Sequence, residues 1–238
     1  MFTKPALQLK NLAGDFLSLV YPQLCLACEG PLYRHERSLC TRCAYALPRT
    51  GFHLEADNPV ARIFYGRVRL HAASAFLRFQ KDGSVQRLVH QLKYKGRKEA
   101  GEDAGRLYGA ELKSAPLFSD VAAVIPVPLH PTKLRKRGYN QAECFARGLS
   151  EAMSVKLDTE TLHRKTATST QTRKNRFQRW RNVEEVFALR ASAHLEGKHL
   201  LLVDDVVTTG ATLESCAALL LKIPNARVSI AALATAQL

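Results

Sequence analysis

Leu200-Leu-Leu-Val-Asp204-Asp205-Val-Val-Thr208-Thr209-Gly210-Ala-Thr212 is the stretch from which the fold can be read. A continuous apolar run is the pattern of a strand buried on both faces, as in a parallel sheet. Here it ends in two carboxylates, and a short loop of hydroxyls with one glycine then opens a helix. Such a loop gathers backbone N–H groups, threonine hydroxyls and the positive end of a helix around one point, which suits a phosphate. Gly210 lets the backbone approach closely. Open α/β sheets keep ligands at the carboxyl ends of their strands, so the acidic pair sits beside that phosphate. Carboxylates repel phosphate, so Asp204 and Asp205 are read as acceptors for sugar hydroxyls. The segment thus describes a ribose 5-phosphate site. An acidic helix cap would account for one aspartate and one threonine, but not for two acids, three threonines and a glycine in this order.

The thirteen residues resemble the motif by which type I phosphoribosyltransferases bind phosphoribosyl pyrophosphate (PRPP). The resemblance implies that Asp204 and Asp205 hold the ribose 2- and 3-hydroxyls, while Val207, Thr208, Thr209, Gly210, Ala211 and Thr212 hold the 5-phosphate. Neither Gly-x-x-x-x-Gly-Lys-Ser/Thr nor Gly-x-Gly-x-x-Gly occurs, which disfavours a kinase or a dinucleotide oxidoreductase.

Upstream, an apolar run at 121–127 leads into Pro128-Leu-His130-Pro-Thr-Lys133-Leu-Arg135-Lys136-Arg137-Gly138-Tyr139-Asn140-Gln141, read as a basic loop. Its four cations suit a pyrophosphate or a nucleic-acid backbone equally. They belong to a wider asymmetry. Of 35 lysines and arginines 13 lie between 130 and 182, against 4 of the 21 acidic residues, and the whole chain carries +14. A polyanionic partner is one reading, and a solvated basic face is the other. His130 stands beside a proline turn and receives no acid–base role.

The remaining pattern alternates short apolar strands with helices. Strands are expected at 70–79, 121–127, 199–203 and 228–233, and helices at 85–93, 105–112, 140–153 and 211–221. This is an α/β chain with a mainly parallel sheet flanked by helices. At 238 residues and 46% hydrophobic content it is long and apolar enough to bury a core, and no apolar stretch reaches the length of a membrane span.

At the other end, Cys25-Leu-Ala-Cys28 and Cys40-Thr-Arg-Cys43 stand eleven residues apart. With no signal-peptide pattern ahead of them, they read as four thiolate ligands of a structural Zn2+ with no open position, a small zinc-ribbon-like module of unusually short spacing; a redox pair is the alternative. Leu9, Leu12, Phe16, Leu19 and Val20 fall on one helical face before Pro22. The expected division is residues 1–58 for this helix and the cysteine module, and 59–238 for the α/β domain, in a cytoplasmic protein.

Taken with the cysteine pairs, Pro126-Val-Pro-Leu-His130, Arg135-Lys-Arg137-Gly-Tyr-Asn-Gln141 and Leu92-Lys93-Tyr94-Lys95-Gly96 resemble the ComF family of competence proteins from about Phe16 to nearly the carboxyl terminus. The resemblance implies PRPP with Mg2+ as ligand, Lys95, Arg135, Arg137 and Gln141 on the pyrophosphate, and Lys93, Arg137, Asp204 and Asp205 as the catalytic set. It also implies a mobile lid carrying Arg164, Gln171, Arg179 and Asn182, and a role in DNA uptake beside a DNA-translocating helicase. Basic residues interleaved with Phe177 and Trp180 fit single-stranded DNA, and Trp180 as an apolar anchor of the lid fits as well. Two functions follow: a phosphoribosyltransferase of unidentified acceptor, or a catalytically silent PRPP or nucleotide-sensing scaffold that binds single-stranded DNA or an uptake partner.

Overall fold

A computed structural model describes residues 22–81, 83–165 and 186–236. The amphipathic pattern at 9–20 and the lid residues Gln171, Arg179 and Asn182, with Phe177 and Trp180, lie outside the described residues.

The first elements are two short helices, α1 (Thr41–Tyr45) and α2 (Pro59–Arg62). Asn58 caps α2: its Oδ1 accepts from the N–H groups of Val60 and Ala61 at 3.0 Å, while its Nδ2 donates to Glu55 O (2.8 Å) and Ala73 O (2.9 Å). One buried amide thereby ties the junction segment to the sheet.

There follow β1 (Ala72–Arg78), α3 (Ser84–Tyr94), α4 (Lys98–Ser114), β2 (Ala123–Pro126), α5 (Pro131–Arg137), α6 (Gln141–Met153) and β3 (Lys156–Leu157). The chain continues through β4 (Leu162–Arg164), β5 (Phe187–Leu189), β6 (His199–Val207), α7 (Ala211–Leu220) and β7 (Arg227–Thr235). Five strands form one parallel sheet in the order β1-β7-β6-β2-β3, and β4 pairs antiparallel with β5. Apolar residues of β6 alternate between two cores, Leu201 and Val203 toward α3, α4 and α6, Leu200 and Leu202 toward α7. Helices on both faces are why this strand reads as an unbroken apolar run.

Three local expectations are corrected. The strand at 199 does not stop before the carboxylates: Asp204 pairs with Ala232 and Val207 with Thr235, because β7 continues alongside and supplies partners. The basic segment is a helix, α5, rather than a loop; Pro131 occupies its first turn and Gly138, at φ +77°, ends it. The helix expected at 105–112 starts at Lys98 and runs through Gly101. Glycines are tolerated there because α4 lies almost backbone to backbone on α6. A Cβ on Gly105 would stand 2.2 Å from Phe145 O, and one on Gly148 2.0 Å from Glu102 O.

The cysteine module joins the same body. Cys25, Leu26, Ala27 and Leu39 share a core with Leu88, Val89 and Leu92 of α3. Arg87 Nε donates to Ala27 O at 2.7 Å, and Ser38 Oγ donates to the Asp103 carboxylate on α4. The segment after the module then covers the outer edge of β1, with Thr50 N–H bonded to Phe76 O and Arg78 N–H to Pro48 O, both at 2.9 Å. No helix among the described residues is long and apolar enough to cross a membrane.

Candidate functional site

The carboxyl ends of β2 and β6 and the last turns of α3 and α5 enclose a cavity of about 300 Å³. Asp204, Asp205 and Thr212 line it together with Lys93, Lys133, Arg137 and Arg164. Carboxylates, a hydroxyl and cations thus border one space, the groups that a sugar phosphate needs.

Both aspartates are half-buried. The Asp205 backbone N–H donates to Asp204 Oδ1 at 2.8 Å, and Lys93 Nζ stands 2.8 Å from Asp205 Oδ2. Burial and the adjacent Asp205 carboxylate push the Asp204 pKa up to about 7, against the pull of the Asp205 N–H and Lys93. This carboxyl changes charge near neutrality.

Where β6 turns into α7, residues 206–213 surround a small hollow of about 50 Å³. Thr208 and Thr209 are exposed there, and Gly210 adopts φ +73° as the cap of α7. Its hydrogen faces protein: a Cβ would lie 2.8 Å from both Ile63 and Phe64. Close approach is required at Gly210, as expected, but the approach seen is that of the Ile63–Phe64 turn. The loop is further fixed by Arg67, whose Nη1 donates to Thr209 O (2.9 Å) and Ile63 O (3.0 Å) and whose Nη2 pairs with Glu214. Its hold on the loop has no signal in the local sequence, because Thr209 and Glu214 lie more than 140 residues away.

Among the cations, positions four apart on α5 turn Lys133 and Arg137 toward the cavity, while Arg135 does not line it; nor does Lys95, just past the end of α3. Gln141 is buried, accepting from Arg137 Nη1 at 2.6 Å and donating to Tyr139 O at 3.2 Å, so it positions the guanidinium. Asn140 caps α6 and donates to Val127 O at 2.9 Å. His130 Nδ1 accepts from the Thr132 N–H as the cap of α5, a structural part. Arg164, at the end of β4, is half-buried with its guanidinium 5.1 Å from the Phe187 ring centre. Burial lowers its pKa. No carboxylate among the described residues pairs with it, which leaves it free for an anion. Lys93, Arg137, Gln141, Arg164, Asp204, Asp205 and Thr212 therefore converge on one space.

A larger groove of about 680 Å³ runs along residues 56–73. Its carboxylate, Asp57, is taken by Arg62 at 2.9 and 2.8 Å, so it offers no comparable constellation.

The sulfur atoms of Cys25, Cys28, Cys40 and Cys43 all lie within 4.8 Å of one another, and Cys28 and Cys40 are 3.8 Å apart. A tetrahedral thiolate site with zinc–sulfur bonds of about 2.3 Å spaces its sulfurs by about 3.8 Å, so the four residues fit a metal of that size. Backbone N–H groups of Cys40 and Cys43 point at Cys25 Sγ (3.3 Å) and Cys40 Sγ (3.4 Å), as negatively charged thiolates require. Cys144 and Cys216 are buried apart from this group.

The phosphoribosyl transferase domain family matches residues 107–237. DNA utilization protein YhgH of Escherichia coli O157:H7 is 30% identical over 89% of this chain and 96% of its own length. Competence protein F of Haemophilus influenzae is 31% identical over 67% of this chain and 65% of its own. Among solved structures, adenine phosphoribosyltransferase from Saccharomyces cerevisiae aligns at a TM-score of 0.37 and 15% identity, covering 59% of this chain and 69% of that one. The family match spans the strands, loop and carboxylates that build the cavity, and the chain belongs to the phosphoribosyl transferase domain family, with DNA utilization protein YhgH and competence protein F among its relatives.

Proposed function

We propose that this protein binds PRPP and transfers its phosphoribosyl group to an acceptor in the handling of incoming DNA. The observation that carries the reading is the single cavity lined by Asp204, Asp205 and Thr212 together with Lys133, Arg137 and Arg164. The ribose 2- and 3-hydroxyls donate to Asp204 and Asp205, the loop 207–212 takes the 5-phosphate, and Arg137, oriented by Gln141, takes the pyrophosphate with Lys133 and Arg164 beside it. As the C1–oxygen bond breaks, its electron pair leaves with pyrophosphate, and the acceptor's lone pair bonds to C1. Positive charge grows on the sugar while the carboxylates face it, and negative charge grows on the departing oxygen while the guanidiniums face that. Mg2+, if bound with PRPP, would neutralise part of the pyrophosphate charge.

Lys93 holds Asp205 and moves toward the pyrophosphate when the ribose takes the carboxylate. Zn2+ on the four cysteines is structural, since four protein ligands leave it no open position. The names of the relatives, DNA utilization and competence, support a place in the handling of DNA; single-stranded DNA in the cytoplasm, beside the helicase of an uptake apparatus, is the setting proposed.

Calorimetric titration of PRPP with Mg2+ into zinc-loaded protein tests this, beside an Asp204→Asn/Asp205→Asn variant whose fold is checked by circular dichroism. Saturable binding that is lost in the variant is expected, followed by pyrophosphate release once an acceptor is supplied. Equal binding by both proteins, or none by either, sinks the reading.

A further inference from the structure

Beside the ribose cavity, a second cleft of about 440 Å³ opens between the ends of α3 and α5. It shares Lys93, Lys133 and Arg137 with the cavity and adds Tyr94, Lys136 and Tyr139. Every charged side chain lining it is cationic. Lys93 is paired with Asp205, but neither Lys133 nor Lys136 has a carboxylate partner among the described residues. Lys93, Lys136 and Arg137 stand in the last turns of their helices, where the backbone dipole offsets part of their charge without neutralising it, and Lys133 lies nearer the start of α5. Like charges held across a cleft cost stability, and a bound anion removes that cost.

The second feature is aromatic. Tyr94 is 67% exposed at the mouth of the cleft, with the Arg137 guanidinium 5.5 Å from its ring centre. Tyr139 forms the floor, its hydroxyl bonded to Leu92 O and its ring covered by Lys98 Nζ at 5.2 Å. The His90 ring centre lies 5.1 Å away, yet most of the Tyr94 ring remains exposed beside Lys133 and Lys136, a stacking surface next to a phosphate site, and the volume falls in the range of small-ligand pockets.

We propose that this cleft binds a nucleoside phosphate, with its base on Tyr94 and its phosphate among Lys133, Lys136 and Arg137. The cleft stands without the PRPP reading; only its coupling to the ribose cavity rests on that reading. Because Arg137 and Lys93 serve both spaces, a nucleotide that draws on them lowers PRPP affinity, and PRPP lowers nucleotide affinity by the same factor.

The test is calorimetry with deoxyadenosine monophosphate, which lacks the 2-hydroxyl, and with pyrophosphate as a ring-free control. Saturable nucleotide binding is expected, weakened about tenfold by Tyr94→Ala and by Lys136→Ala. Tyr94→Phe keeps it, and Thr212→Val, in the phosphate loop, leaves it unchanged while weakening PRPP. No nucleotide binding, binding indifferent to Tyr94→Ala and Lys136→Ala, or pyrophosphate binding weakened by Tyr94→Ala as much as the nucleotide's overturns the proposal. Failure of PRPP to bind, with the nucleotide pattern intact, removes only the reading of the ribose cavity.

Discussion

Lys93 Nζ lies 2.8 Å from Asp205 Oδ2, with the two side chains 22% and 17% exposed, so the last turn of α3 is fastened to the acidic end of β6. The same helix is held at Arg87 by the carbonyl of Ala27, between the first two cysteines. Six residues, about 9 Å of helix, separate the two anchors. The metal module and the ribose cavity therefore share one rigid element.

Metal removal should reach the ribose cavity through that helix. Chelation, or Cys40→Ala, is expected to lower the melting temperature in a single transition and to weaken PRPP binding. Arg87→Ala, which leaves the cysteines intact, should weaken PRPP by about threefold to tenfold. Scanning fluorimetry and calorimetry on the same samples check this; unchanged PRPP affinity in chelated, folded protein would show the two parts to be independent.

Titration of Asp204 sets the direction of a pH effect. Its folded pKa, about 7, lies above the ordinary 3.8, so stability is lost as pH rises from about 4 to about 7. Asp204→Asn should abolish that slope and raise the melting temperature at pH 8 by a few degrees. PRPP affinity should rise through pH 7 as the carboxyl ionises and can accept from hydroxyls. Lys93→Gln should move the midpoint upward, because Lys93 pulls the pKa down. A pH slope unchanged in Asp204→Asn would refute the assignment.

The α4–α6 contact predicts a large cost for one methyl group. In Gly148→Ala the added carbon would meet Glu102 O at 2.0 Å, backbone against backbone, with no flexible side chain to yield. A loss of about 3 kcal/mol or more is expected in urea unfolding. Gly101→Ala meets Cys144 Cβ at 3.0 Å and Leu92 at 3.1 Å, and should cost less.

Gly210→Ala combines a left-handed backbone, φ +73°, with a 2.8 Å approach to Ile63 and Phe64. It should displace the phosphate loop and reduce PRPP affinity at least about tenfold, with a smaller change in melting temperature. Normal PRPP affinity in this variant would place the 5-phosphate elsewhere.

Much of this was legible in local patterns. The apolar run before Asp204, the hydroxyl loop and the period of 140–153 report strand, cradle and helix, because strand burial and helical amphipathicity repeat within a few residues. Two Cys-x-x-Cys pairs likewise announce four ligands that the structure brings within 4.8 Å. The position of Gln141 was legible too, but not its hydrogen bond with the Arg137 guanidinium one turn away.

Other features arise only when distant segments meet. Sequence could not choose among the basic residues of 133–137, since helical phase, set by Pro131 and Gly138, turns Lys133 and Arg137 inward and Arg135 away. Nor could it show Arg67 on the Thr209 carbonyl, Lys93 on Asp205, or glycines of α4 against the backbone of α6. By itself the sequence determined the parallel α/β class, the paired carboxylates of β6 with the hydroxyl loop after them and the two cysteine pairs, because each rests on periodicity or spacing within a short stretch. Tertiary structure alone decided which cations face the carboxylates, what fills the space beside Gly210 and that the cysteine module shares a core with α3, because each of these depends on atoms separated along the chain and brought together by packing.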